Sequence, residues 1–144
     1  MGIFSNLLKR KNLQKLDPDF GEIESISTIR RTIVWRVKYL FLEQKIEIRI
    51  HGNKNGLAKQ QKEVLLNAIK NEKKIKSESE KILKEQFKDS VLKFESLEKH
   101  FDVIGITMDK KGFELTFQEK DGQFRFFNVY FENNIQRGLT IEEF

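Results

Sequence analysis

The chain has 144 residues, with 27 Lys and Arg against 22 Asp and Glu, two His, one Pro, thirteen Phe and no Cys. That composition fits one globular domain of ordinary size and excludes a disulfide framework, a thiol nucleophile and a thiolate metal site. Two histidines leave little for zinc or general-base chemistry, so composition points away from an elaborate active site.

Ile3, Phe4, Leu7 and Leu8 share one helical face and are followed by Lys9, Arg10 and Lys11, which predicts an amphipathic helix over residues 1–16. Such a helix can dock on its own core, on a partner or on an anionic membrane, in that order of preference. Its apolar run has no basic region before it and no small-residue cleavage site after it, and Asn6 breaks the myristoylation pattern. No segment approaches the roughly 18 apolar residues of a membrane span, so a cytoplasmic location is expected.

Asp17-Pro18-Asp19 reads as a turn, because Pro18 pushes Asp17 out of helical geometry, and a single α+β domain is expected over residues 17–144. Three strands follow: a weak one over 20–27, one over 33–41, and one over 45–51 in which Ile46, Ile48 and Ile50 alternate with charged residues. Helical spacing then begins at Leu57, Gln61, Val64, Leu65 and Ala68 and continues through Ile75, Ile82, Leu83 and Phe87. Two helices are predicted, broken between Asn71 and Ser77, with Ser77-Glu78-Ser79-Glu80 as a capping box for the second.

From Phe101 the period returns to two, giving strands over 102–108, 113–119 and 123–131. Gly112 and Gly122 are read as the positive-φ residues of the hairpin loops between them. The tail over 133–144 is expected to be extended or loosely docked. The fold class is therefore α+β, β-β-β-α-α-β-β-β, with antiparallel strands in two three-stranded groups, the N-terminal helix, and a central helical pair packed on the sheet.

Chemistry-bearing clusters are few. His100-Phe101-Asp102, with Glu95 and Glu98 nearby, is the densest, yet a His in a last helical turn suits the helix dipole without further purpose. His51 stands beside a glycine-bearing loop and suggests less. No phosphate loop, dinucleotide fingerprint, nucleophile elbow or zinc-protease motif is present. No catalytic residue, cofactor or metal is expected, and the chain is read as a non-enzyme.

The net charge of +5 is uneven: residues 1–72 carry 14 basic and 8 acidic groups, net +6, whereas residues 73–144 carry 13 and 14, net −1. Much of the excess falls on the first hairpin, where Arg30, Arg31, Arg36, Lys38 and Arg49 are the candidate partner contacts, with Lys45 beside them. Glu43 and Glu47 interleave these cations, which favours a mixed, solvated face over a nucleic-acid footprint. Lys111-Gly112-Phe113 begins like an aromatic RNA-binding motif, but Glu114, Leu115 and Thr116 depart from it. Phe124 to Phe131 is apolar on both alternating faces, which predicts a central buried strand or, failing that, an aromatic binding surface.

Phe20-Gly21 leading to the Trp35 strand, then Ile46-Glu47-Ile48-Arg49-Ile50-His51-Gly52, a helix with Gln60-Gln61 and a second ending Lys84-Glu85-Gln86-Phe87, resembles small uncharacterised bacterial α+β domains placed among polymorphic-toxin immunity proteins. The resemblance covers roughly residues 20–94. It implies a non-enzymatic cytoplasmic protein that binds and occludes a cognate toxin. The other readings of the residues are a nucleic-acid-binding domain using the basic hairpin and a homo-oligomeric structural protein using the Phe-rich hairpin.

Overall fold

A computed structural model describes residues 12–143. The chain begins with β1 (Gln14–Asp17), β2 (Gly21–Ile29), β3 (Thr32–Phe41) and β4 (Gln44–Asn53), each antiparallel to the one before. Alternation builds the core side of β3 and β4: Ile33, Trp35, Val37 and Phe41 are buried and Tyr39 is half-buried, with buried Ile50, Ile48 and Ile46 opposite Trp35, Val37 and Tyr39. Each such side chain, fully buried, contributes about 1.5–3 kcal/mol. The hairpins close through Arg30–Arg31 and Leu42–Glu43, and all four residues have positive φ. Those are two-residue turns of the kind whose twist matches paired strands.

A two-residue strand, β5 (Gly56–Leu57), pairs with Gly52 and Asn53 at the end of β4. Gly52 is required there, since a Cβ would lie 2.1 Å from the Gly56 carbonyl oxygen. Helices α1 (Lys59–Lys70) and α2 (Glu72–Glu85) follow, burying Gln61, Leu65 and Ala68, and then Ile75, Ser79 and Leu83. Asn71 separates them, its side chain donating to the Asn67 carbonyl at 2.8 Å. A short α3 (Leu97–His100), capped by Ser96 Oγ accepting from the Lys99 amide, hands over to β6 (Phe101–Met108).

β6 returns parallel to β4, with Glu47, Ile48 and Arg49 level with Gly105, Ile106 and Thr107. Three antiparallel steps then add β7 (Gly112–Glu119), β8 (Phe126–Glu132) and β9 (Ile135–Glu142). Among the described residues the result is one nine-stranded mixed sheet in the order β1-β2-β3-β4-β6-β7-β8-β9, with β5 added to β4. A single apolar cluster runs along one face, from Ile23 on β2 to Phe127, Val129 and Phe131 on β8, under the helical layer.

This architecture corrects the expected fold class. Instead of two three-stranded groups in a β-β-β-α-α-β-β-β order, the chain forms a single, mostly-sheet layer, because the parallel β4–β6 seam fuses the two meanders and β1, β5 and β9 extend them. Of the helix expected over residues 1–16, residues 1–11 lie outside the described residues, and Gln14–Asp17 is a strand. Leu13 is held in extended pairing, its carbonyl accepting from the Ser25 amide at 2.9 Å and its amide donating to Ser25 Oγ at 2.7 Å. Asp17 Oδ2 accepts from the Asp19 and Phe20 amides and fixes the turn into β2.

Ser77 and Ser79 do not cap a helix. They lie inside α2, Ser79 buried against the sheet, because the second helix starts at Glu72, directly after Asn71. The tail forms β9, turned by Asn133 and Asn134 at φ 53° and 60°. β8 is an internal strand, but no described element lies over its other face, where Asn128 is buried and Phe126 and Tyr130 are half-buried.

Candidate functional site

No described element covers the face of the sheet opposite the helices. Residues level with one another across it fall into rows set by the registers. One row reads Glu24, Arg36, Arg49, Thr107, Glu114, Tyr130 and Gly138. The next reads Lys38, Glu47, Gly105, Thr116, Asn128 and Thr140. A bulge at Val103–Gly105 in the β6–β7 pairing leaves Ile104, 40% exposed, on β6 one residue before its ladder with β4 begins at Gly105. Gly105 admits close approach there, as a Cβ would lie 2.7 Å from the Glu47 carbonyl oxygen.

The left half of this face carries a chain of ion pairs. Arg36 donates to Glu24 Oε2 at 2.7 Å and reaches Glu47 at 3.5 Å, and Arg49 Nε donates to the other Glu47 oxygen at 3.0 Å. Hydrogen bonds from Asn12 and then Arg36 hold the Glu24 carboxyl below its ordinary range, and the bond to Glu24 raises Arg36. Lys38 and Lys45 are exposed and make no ion pair among the described residues. A cleft of about 490 Å³ lies along Lys38, Leu40, Lys45 and Glu47.

The right half is held by neutral and acidic groups. Thr116 donates to Asn128 Oδ1 at 2.7 Å, and Asn128 donates to Glu142 at 2.8 Å, a ladder across β7, β8 and β9. Burial pushes the Tyr130 hydroxyl up, with Asp109, Glu132 and Glu114 acting in the same direction. The laddered open-face positions of β6 to β9 hold Asp102, Glu114, Glu132 and Glu142 and no Lys or Arg, with exposed Arg137 outside the β9 ladder, whereas those of β3 and β4 hold Arg36, Lys38, Lys45 and Arg49 against Glu47 alone.

Of the five expected contact residues, the fold brings Arg36, Lys38 and Arg49 onto this one face. Arg30 and Arg31 are placed apart, at the exposed tip of the β2–β3 hairpin, with φ of 50° and 72°. Arg31 lines a cleft of about 750 Å³ with Leu13, Thr28, Ile33, Lys54 and Asn55. Sequence patterning missed the acidic half, Glu114 and Glu142 included, because cross-strand neighbours over a parallel seam share no local spacing.

The two histidines have structural surroundings and lie at opposite ends of the sheet. Gln61, buried under α1, accepts from the His51 amide at 2.8 Å and donates to the Asp109 carbonyl at 3.1 Å, with the His51 ring beside it. His100 sits between Phe87 and Phe94, and its Nε2 accepts from the Glu95 amide at 3.0 Å. Asp102 is 3.8 Å from Lys120, Glu95 pairs with Lys99, and Glu98 pairs with Lys76. Among the described residues no group of three His, Asp or Glu is poised to hold a metal ion, and no helix is long and apolar enough to cross a membrane.

No family model, no curated protein sequence and no solved structure matches this chain.

Proposed function

We propose that the chain is a non-enzymatic, cytoplasmic protein-binding module, of an immunity-like kind, that acts by laying the open face of its sheet over a partner's functional site. The observation that carries this reading is the sheet itself: helices cover one face, and no described element covers the other, which presents Arg36, Lys38 and Arg49 together. A flat, hydrogen-bonded surface with fixed charges recognises another folded surface through shape and charge, and needs no reacting group. The carboxylates threaded between the cations favour a protein partner over nucleic acid, since Glu24 and Glu47 already neutralise much of what a phosphate backbone would meet.

Affinity capture with the full chain from cells of the source organism tests this reading. One stoichiometric protein partner is expected, lost with Lys38→Glu combined with Arg49→Glu and retained with Arg30→Ala combined with Arg31→Ala. Recovery of nucleic acid alone, of no partner, or of a partner indifferent to Lys38 and Arg49 would overturn it.

A further inference from the structure

The open face is polarised about its own midline. The sheet path places β1 to β4 on one side of the β4–β6 seam and β6 to β9 on the other. Arg36, Lys38, Lys45 and Arg49 stand on β3 and β4 beside Glu24 and Glu47, while the laddered open-face positions of β6 to β9 hold Asp102, Glu114, Glu132 and Glu142 and no Lys or Arg; exposed Arg137 lies outside the β9 ladder, and Lys120, just past β7, is 3.8 Å from Asp102. Such a surface is complementary to itself. A two-fold axis lying in the interface along the seam exchanges the halves and leaves each row at its own height.

Under that operation β4 of one copy stands over β6 of the other, and β3 over β7. Arg36 and Glu114, which belong to one row, then face each other twice, once on each side of the axis. Arg49 stands over Thr107, Glu24 over Tyr130, and Lys38 over Thr116. One row further, Lys45 meets Asp102. Ile104, 40% exposed, lies on β6 beside the axis, and Leu40, 60% exposed, is the apolar flank.

We infer that the occupant of this face in the isolated protein is a second copy of the chain, stacked sheet on sheet about the β4–β6 seam. The inference rests on the reading of the open face as a binding surface and names the partner it takes when no other is present; a foreign partner has to displace the copy. The dimensions suit it. Seven inter-strand spacings of about 4.8 Å and some seven residues of about 3.3 Å give a patch of roughly 800 Å² per copy, the size of a standard specific interface. Aligned sheets pack about 10 Å apart with strands within about 30° of one another, so side chains as long as Arg and Glu meet across the gap.

Sedimentation equilibrium of the full chain, from low micromolar to several hundred micromolar, reads the outcome. The unaltered chain should show a concentration-dependent monomer–dimer equilibrium. Arg36→Glu and Glu114→Arg should each weaken self-association by about tenfold or more, through two like-charge contacts per dimer. An equimolar mixture of the two variants should recover it, because every contact in the mixed dimer again joins Arg to Glu. Lys45→Glu and Asp102→Lys form a second such pair that leaves the Arg36–Glu24 bridge intact, should loss of that bridge disturb folding. A monomer at all concentrations, variants that associate as well as the unaltered chain, or a mixture that stays monomeric would each overturn the inference. Partner capture that still depends on Lys38 and Arg49 would in those cases leave the binding-face reading standing, so the two failures are separable.

Discussion

Gly112 and Gly138 sit on neighbouring parts of the last meander, yet a methyl group would meet opposite fates. At Gly112 a Cβ would lie 1.9 Å from the Phe131 carbonyl oxygen, while at Gly138 nothing stands within 4 Å. Gly112 was expected to supply a positive φ; its actual role is close approach, and the loop before it is held by Asp109 Oδ1 accepting from the Lys111 and Gly112 amides. Gly112→Ala should therefore cost about 2–3 kcal/mol in urea unfolding, as overpacking against backbone does, whereas Gly138→Ala should be neutral or gain about 0.5 kcal/mol. The tip of the β2–β3 hairpin holds the reverse opportunity. Arg30 and Arg31 occupy left-handed geometry that suits Asn and Gly, so Arg30→Asn with Arg31→Gly should raise stability by about 1–2 kcal/mol, seen as a higher Tm.

Elements are tied together by a few buried polar links. Lys62 on α1 reaches Asp17 Oδ1 at 2.9 Å and Asp19 Oδ2 at 2.7 Å, fastening the helix to the β1–β2 turn. Burial pushes Asp17 up, but hydrogen bonds from Lys62 and from the Asp19 and Phe20 amides outweigh it and hold the carboxyl below its ordinary value near 3.8. Lys62 is raised above its ordinary 10.5, by Asp19 first and Asp17 next, with burial opposing. A lowered acid stabilises the fold above its unfolded pKa and loses that contribution as pH falls through the folded one. Lys62→Met should thus cost about 1–2 kcal/mol at neutral pH, with the gap from the unaltered chain closing as pH falls below about 4. Chemical denaturation across that range measures it. Both sheet edges are also guarded: β1 is only four residues long, and β9 carries a register shift that leaves Arg137 exposed and out of the ladder.

At the scale of the whole molecule, the parallel seam makes two meanders into one cooperative unit. Ile48 and Ile106 are level across it, both buried, and the apolar cluster passes through them without interruption. Trp35, the single Trp, lies in the first half, whereas far-UV circular dichroism reports the whole sheet. The two signals should give one coincident unfolding transition; a Trp35 transition displaced from the dichroism would show that the halves unfold separately. Ile48→Ala with Ile106→Ala should be non-additive in a double-mutant cycle by about 0.5–1 kcal/mol, since each relaxes into space the other leaves.

Local pattern carried most of the middle of the chain. The alternation of Ile46, Ile48 and Ile50, the helical spacing of Leu65, Ala68 and Ile75, and the break at Asn71 each follow from short-range sterics and burial, which act within a few residues and are written in sequence order. The same alternation put Arg36, Lys38 and Arg49 on one face, because β3 and β4 are joined by a two-residue turn that fixes their register. Tertiary structure alone decided the rest. Leu13 and the residues of β1 became extended because β2 offered them partners, and the Asn133–Asn134 turn laid the polar tail against β8 as β9. Most consequentially, the pairing of Glu47 with Gly105, 58 positions apart, sets the acidic half of the open face beside the basic half. No periodicity encodes a contact of that separation; it is fixed by which apolar faces can share one core beneath the helices.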